Sequence, residues 1–149
     1  MSNRPPRLTR VFQSIDSPVY FVTFNTFRRQ PFLAEDSVHE AFRAFAGAGM
    51  ERGVGIGRYV LMPDHAHLFV RGAADFRLAQ WVRLLKRAVS KVISGSSPHW
   101  QEGFFDHVMR SSESYSAKWE YVRQNPVRAG LAAVPEEWPY AGQIVDIFL

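Results

Sequence analysis

The sequence predicts an α+β fold in which an antiparallel β-sheet carries helices on one face. Short segments rich in β-branched and aromatic residues alternate with segments whose apolar residues recur at helical spacing. Two of the predicted strands are joined by only a short turn, which makes them antiparallel neighbours. The chain has 149 residues, 46% of them hydrophobic, which is enough for one core. No apolar run approaches the roughly 18 residues of a membrane span, so an integral membrane protein is not expected.

The first predicted elements are a strand and a helix. Residues 19–27 are dense in valine, phenylalanine and threonine, which predicts a central strand. Asp36 or Ser37 can cap a helix that runs to about Arg52. Gly53 then ends this helix, because glycine readily adopts the left-handed conformation that follows a helix.

A predicted hairpin and a second helix follow. Residues 56–62 and 65–70 are the two strands, with a Pro-Asp turn between them. Residues 76–93 predict a helix, after which Gly95 to Pro98 form a loop. The inward stripe of this helix is expected to contain Leu78, Trp81, Val82, Leu85, Val89 and Val92.

The last predicted elements are a short strand and a third helix. Residues 104–109 predict the strand, and Ser112 or Glu113 opens the helix. This helix is expected to end near Asn125, because Pro126 disfavours helical geometry in the residue before it. The predicted order β-α-β-β-α-β-α is of ferredoxin-like type, with the third helix as a C-terminal addition.

The charge pattern predicts a nucleic-acid partner and a flexible basic arm. The formal net charge is +4, and most of the cations are arginine. The planar guanidinium group of arginine can donate two hydrogen bonds to one phosphate. Residues 1–16 show no hydrophobic period and predict the arm, followed by one domain over residues 17–149. A solvated surface is the alternative interpretation of the charge. The candidate cations for binding nucleic acid are Arg4, Arg7, Arg10, Arg83, Lys86 and Arg87.

Several classes of protein are excluded by composition. The chain has no cysteine, so disulfides, thiolate zinc sites and cysteine nucleophiles are ruled out. The first ten residues lack the apolar region of a secretory signal. We therefore expect a cytoplasmic protein.

Two histidines form the first candidate site. Because side chains at i and i+2 of a strand point to one face, His65 and His67 are expected to project side by side. Ala66 and Leu68 then face the core on the opposite side. Two adjacent imidazoles can bind a divalent metal ion, although a His-x-His pair also arises by chance.

A tyrosine on the third helix is the second candidate. At about 100° per residue, Tyr115, Trp119 and Val122 share one stripe, which is expected to be buried. Tyr121 lies about 120° from that stripe, and Asn125 follows one turn later. The alternative interpretation is a partly exposed tyrosine with local hydrogen bonds.

Three segments in order resemble one known family. Residues 62–70 (Met-Pro-Asp-His-Ala-His-Leu-Phe-Val) resemble the HUH signature of single-tyrosine transposases. Residues 100–110 resemble the segment that follows the second helix in that family. Residues 121–131, with Trp-Pro-Tyr at 138–140, resemble its tyrosine helix and the turn beyond. The most similar branch is the REP-associated tyrosine transposases, and the resemblance covers roughly residues 17–141.

The resemblance implies metal-dependent cleavage and strand transfer of single-stranded DNA beside a hairpin. Tyr121 would be the nucleophile, leaving a 5′-phosphotyrosine and a free 3′-hydroxyl. His65 and His67 would hold Mg²⁺ or Mn²⁺, with Asn125 as the third ligand and Gln124 as the fallback. The protein would act as a monomer or a homodimer.

Two other functions remain open on this fold. One is a non-catalytic module that binds nucleic-acid hairpins without cutting them. The other is an RNA phosphodiesterase in which water attacks and Tyr121 only positions the substrate. His107 is expected to be structural, and Asp64 is expected to form the turn, with hydrogen bonding to a histidine as the alternative.

Overall fold

The structure is a computed structural model that describes residues 18–149. The predicted basic arm, including Arg4, Arg7 and Arg10, lies outside the described residues. Five strands form one antiparallel sheet in the order β4-β1-β3-β2-β5. The strands are β1 (Val19–Asn25), β2 (Val54–Leu61), β3 (His65–Gly72), β4 (Phe105–Met109) and β5 (Ala141–Gln143). The helices are α1 (Asp36–Glu51), α2 (Leu78–Ser90), α3 (Ser112–Arg123) and α4 (Asn125–Arg128).

The predicted α+β fold with an antiparallel sheet is confirmed. The first strand ends at Asn25 rather than at Phe27, where a 3-10 turn over Phe27–Arg29 begins. The short fifth strand, Ala141–Gln143, was not predicted, because three residues carry no alternation pattern. No helix among residues 18–149 is long and apolar enough to cross a membrane.

One face of the sheet is covered by α1 and α2. Phe42 of α1 and Leu85 of α2 are at most 1% exposed and belong to the cluster that also contains Ala66 and Leu68 of β3. The predicted inward stripe of α2 is therefore largely correct. The prediction is wrong for Val92, because the helix ends at Ser90 and the Val92 side chain is 43% exposed.

The opposite face is covered by α3. Tyr115 and Val122 are buried there against Phe21 and Phe69 of the sheet, and the Tyr115 and Phe69 ring centroids lie 4.4 Å apart. Trp119 packs against the same cluster and is half-buried. The sheet thus separates α1 and α2 from α3, and the stripe predicted for the third helix is its buried face.

The third helix ends two residues earlier than predicted. Its first residue is Ser112, as expected, with Ser111 as the N-cap. Its last residue is Arg123, and Asn125 instead begins the short helix α4. Pro126 is tolerated in the first turn of α4 because its missing N–H has no intrahelical partner there. The chain therefore continues from α3 into a second, short helix, with Pro126 in its first turn.

Candidate active site

His65 and His67 lie side by side on the α3 face of the sheet. Their ring centroids are 4.8 Å apart, and the ring planes are at 80°. Ala66 and Leu68, which alternate with them, are fully buried against α1 and α2. The predicted alternation along β3 is confirmed.

His67 is held by β1, the neighbouring strand. Its Nδ1 lies 2.7 Å from Thr23 Oγ1, and its ring stacks on Phe21 with centroids 5.4 Å apart and planes at 13°. Burial lowers the pKa of His67 to about 3, and the charges of His65, Lys118 and Arg128 add to this effect. The imidazole is therefore neutral at physiological pH, and a proton on Nδ1 leaves the Nε2 lone pair free for a ligand.

His65 is oriented by the turn that precedes it. Its Nδ1 is 2.7 Å from Asp64 Oδ1, and because a carboxylate only accepts, the imidazole N–H donates. Arg29 Nε donates to the other carboxylate oxygen, Oδ2, at 2.9 Å. Burial acts to raise the pKa of Asp64, but the hydrogen bonds from His65 and Arg29 outweigh it and hold the pKa below its usual value. Asp64 both forms the turn and orients the histidine.

The backbone around Arg29 is unusual. Arg28 and Arg29 have positive φ angles of 54° and 56°, a conformation that costs energy in residues other than glycine. Thr26 anchors this segment, since its backbone N–H and hydroxyl both donate to the Asp64 carbonyl, at 3.0 and 3.2 Å. The Arg29–Asp64 contact was missed by sequence reasoning, because nothing in the residue types signals left-handed arginines.

Tyr121 is exposed, as predicted, with 64% of its surface accessible. The guanidinium carbon of Arg128 lies 4.1 Å from the centroid of its ring. Arg128 Nη2 also donates to the Tyr121 carbonyl at 2.8 Å and to Asn125 Oδ1 at 2.6 Å. Arg128 therefore ties the tyrosine to the residue predicted as the third metal ligand.

Electrostatic contacts connect this tyrosine helix with the histidines. Lys118 Nζ lies 5.3 Å from the centroid of Phe21, the ring that stacks on His67. The charges of Lys118 and Arg128 act on His67 itself. The histidine pair and the cations of α3 and α4 thus occupy one region of the same sheet face. Neither Lys118 nor Arg128 was singled out from the sequence, where they are isolated charges.

The two histidines present nitrogen donors of the type that divalent metal ions bind. Nδ1 of each histidine is engaged by a neighbouring residue, so both Nε2 atoms are available. Asn125 Oδ1 accepts from Arg128 but has a second lone pair. Within residues 18–149, no group of three or more His, Cys, Asp or Glu side chains could hold a metal ion, and the predicted third ligand, Asn125, is an amide.

The predicted DNA-binding cations of α2 lie elsewhere. Arg83, Lys86 and Arg87 belong to the helix that covers the opposite face of the sheet from the histidines. Lys86 Nζ donates to the carbonyls of Gly103 at 2.7 Å and Gln101 at 3.2 Å. The structure does not bring these cations to the histidines, and their contact with DNA stays a prediction.

His107 lies on the edge strand β4. It is directly opposite Phe21 in the β1–β4 ladder and is exposed. Because paired residues share a face, His107 is on the same face as the two histidines.

The chain matches known proteins over most of its length. The family described as "Transposase IS200 like" matches residues 15–125. The REP-associated tyrosine transposase of Escherichia coli K12 is 25% identical over 130 residues, covering 85% of this chain and 77% of that protein. A putative REP-associated tyrosine transposase of Haemophilus influenzae is 25% identical over 101 residues, covering 58% of this chain and 57% of that protein.

Two solved structures share the fold. A REP-associated tyrosine transposase bound to a REP hairpin has a TM-score of 0.71 at 22% identity, covering 95% of this chain and 82% of that one. A putative transposase from Deinococcus radiodurans R1 has a TM-score of 0.53 at 16% identity, covering 72% of this chain and 90% of that one.

Proposed function

We propose a function for this chain from the premise that it belongs to the IS200-like transposase family. It is thus a DNA-processing enzyme. Its proposed reaction is cleavage and rejoining of single-stranded DNA beside a hairpin, with Tyr121 as the nucleophile. The observation that carries this proposal is an exposed tyrosine beside Arg128, whose charge also acts on His67.

In the proposed covalent step, one phosphoester bond is exchanged for another. The Tyr121 oxygen attacks the scissile phosphorus, and the bond from phosphorus to the 3′-oxygen breaks. The phenolic proton is released, and the departing 3′-oxygen takes up a proton. The products are a 5′-phosphotyrosine and a free 3′-hydroxyl. A 3′-hydroxyl that attacks the phosphotyrosine reverses the step and joins two strands.

His65, His67 and Asn125 would hold Mg²⁺ or Mn²⁺, with Gln124 as the alternative to Asn125. When bound, the ion would polarise the scissile phosphate as a Lewis acid. Imidazole ligands favour Mn²⁺ over Mg²⁺. Asp64 and Thr23 keep the two imidazoles oriented, because each contacts an Nδ1 atom.

The cations of α3 and α4 would attract the phosphate backbone. Arg128 is exposed, and its guanidinium lies on the Tyr121 ring, so a phosphate that it binds would be next to the nucleophile. Lys118 lies over Phe21 beside His67. Both charges would attract the phosphate backbone toward Tyr121 and His67.

A hairpin substrate is supported by the relatives. The similar solved structure is bound to a REP hairpin, and the E. coli relative is named a REP-associated transposase. We extend the hairpin preference to this chain as part of the proposal, together with one domain over residues 17–149. A cytoplasmic location and a monomeric or homodimeric state remain expectations.

A denaturing gel tests the proposed function. A hairpin oligonucleotide with a single-stranded flank is labelled at its 3′ end, because the 5′-phosphotyrosine retains the 3′ fragment. With Mn²⁺, we expect the label to migrate with the protein, and Tyr121→Phe to remove this band. Cleavage without a protein-linked band would indicate attack by water, and binding without cleavage would indicate a hairpin-binding module. A hairpin RNA of the same sequence tests the phosphodiesterase directly.

A further inference from the structure

An exposed aromatic side chain lies near the candidate active site on the edge of the sheet. Phe105 is 60% exposed, whereas Met109, on the same face of β4, is only 7% exposed. β4 is an edge strand, with β1 as its neighbour. An exposed apolar side chain on an edge strand promotes pairing with the strands of other chains. The exposure of the Phe105 ring therefore does not help the fold.

The strand register places Phe105 in one row with His67. Phe105 is opposite Thr23 in the β1–β4 ladder, and Thr23 is opposite His67 in the β1–β3 ladder. Directly opposed residues share a face, so all three side chains project toward the same side. The backbones of Phe105 and His67 are two strand spacings apart, a distance of about 10 Å. Thr23, which contacts His67, occupies the position between them.

Positive charge borders this row. Lys118 Nζ lies over Phe21, the residue next to Thr23 on the same face of β1. Phe21 is opposite His107, so the lysine lies close to the edge strand as well as to His67. An exposed ring for a base and a nearby cation for the backbone are the two features that bind single-stranded nucleic acid.

We propose that Phe105 is a stacking platform for one unpaired base of single-stranded DNA. The base lies flat on the phenyl ring, and the strand then crosses Thr23 toward the histidines. Stacking needs no particular base edge, so this contact tolerates different sequences. The inference rests on the proposed function, because it assumes that single-stranded DNA crosses the face that carries His67 and Tyr121.

Binding measurements test the platform apart from cleavage. A fluorescent hairpin oligonucleotide with a single-stranded flank is titrated with the Tyr121→Phe protein, which would not cut it. Adding Phe105→Ala is expected to weaken binding about 5- to 150-fold, the range measured for one base stacked on an aromatic ring. Phe105→Trp is expected to retain binding. Val108→Ala, on the other face of the same strand, is the matched control and should leave affinity unchanged.

Abasic substitutions identify the stacked base. Each flanking nucleotide is replaced in turn by an abasic one. At one position we expect the abasic substitution to weaken binding to the protein that has Phe105 but not to the Phe105→Ala protein, because the latter has no ring on which that base could stack. Losses that are the same in both proteins at every position would overturn the platform, as would unchanged affinity of Phe105→Ala. A dimer that dissociates on Phe105→Ala, with DNA affinity unchanged, would assign the ring to a second copy of the chain and overturn the proposal.

The stacking platform and the proposed function would be refuted by different experimental results. If the wild-type protein forms the covalent adduct but Phe105→Ala binds DNA normally, only the platform is wrong. If the wild-type protein forms no adduct but the abasic position is found, only the chemistry is wrong. Absence of any affinity for single-stranded DNA would contradict both.

Discussion

His67 should make the stability of this protein depend on pH in a measurable way. Burial lowers the pKa of its imidazole to about 3 in the folded state, against an ordinary value of 6.5. Between these two values, the unfolded chain binds a proton that the folded chain does not bind. The stabilising contribution is therefore complete above pH 6.5 and is lost as the pH falls toward 3.

The magnitude follows from the two pKa values. A pH of 4.5 is two units below the pKa of the imidazole in the unfolded chain, so that imidazole is protonated. The folded imidazole is still neutral at this pH. At 1.36 kcal/mol per unit, this lowers the free energy of unfolding by about 3 kcal/mol relative to pH 6.5 and above. His67→Gln removes this titration, so its stability should fall less over the same range.

Urea unfolding at pH 7 and pH 4.5 measures this effect. The wild-type protein should lose about 3 kcal/mol more between the two pH values than His67→Gln does. His107→Gln removes an exposed imidazole from the same sheet face and should behave as the wild-type protein. Equal losses in the wild-type protein and His67→Gln would refute the burial of a neutral imidazole at this position.

Three further predictions concern the metal and the DNA. Asp64→Ala removes the acceptor of the His65 N–H, so calorimetry without DNA should show about 10- to 100-fold weaker Mn²⁺ binding, and unchanged binding would contradict that role. His65→Ala should abolish cleavage and leave hairpin binding largely intact; cutting at the wild-type rate would reject His65 as a ligand. Deleting residues 1–10 removes three arginines. It should weaken DNA binding and flatten its salt dependence by up to ~0.7 log units per lost phosphate contact, whereas an unchanged salt titration would exclude the arm from binding.

The side chains of the candidate site were predictable because local periodicity positions them. The two-residue period of a strand placed His65 and His67 on one face, opposite Ala66. The helical period separated exposed Tyr121 from buried Tyr115. Both arguments need only the type of secondary element and the apolar pattern, which the sequence contains.

The contacts that Arg29 and Arg128 make with these residues were not predictable, because they depend on the path of segments that carry no periodic pattern. Arg29 reaches Asp64 through a pair of left-handed residues, which no residue type indicates. Arg128 reaches Tyr121 and Asn125 because α4 begins immediately after α3. The sequence predicted the end of the third helix to within two residues and a short turn from Pro126 to Gly130, but not the position of Arg128 against Tyr121.

The proposed reaction requires Tyr121 to form the covalent bond to DNA. Its most direct test is peptide mapping by mass spectrometry after the wild-type protein has reacted with the hairpin oligonucleotide and Mn²⁺. We expect the nucleotide to be attached to the peptide that contains Tyr121. Tyr115→Phe, in the buried stripe of α3, should react normally, and Tyr121→Phe should bind the hairpin without forming an adduct. A nucleotide attached to Tyr115, or an adduct that persists in Tyr121→Phe, would contradict this proposal.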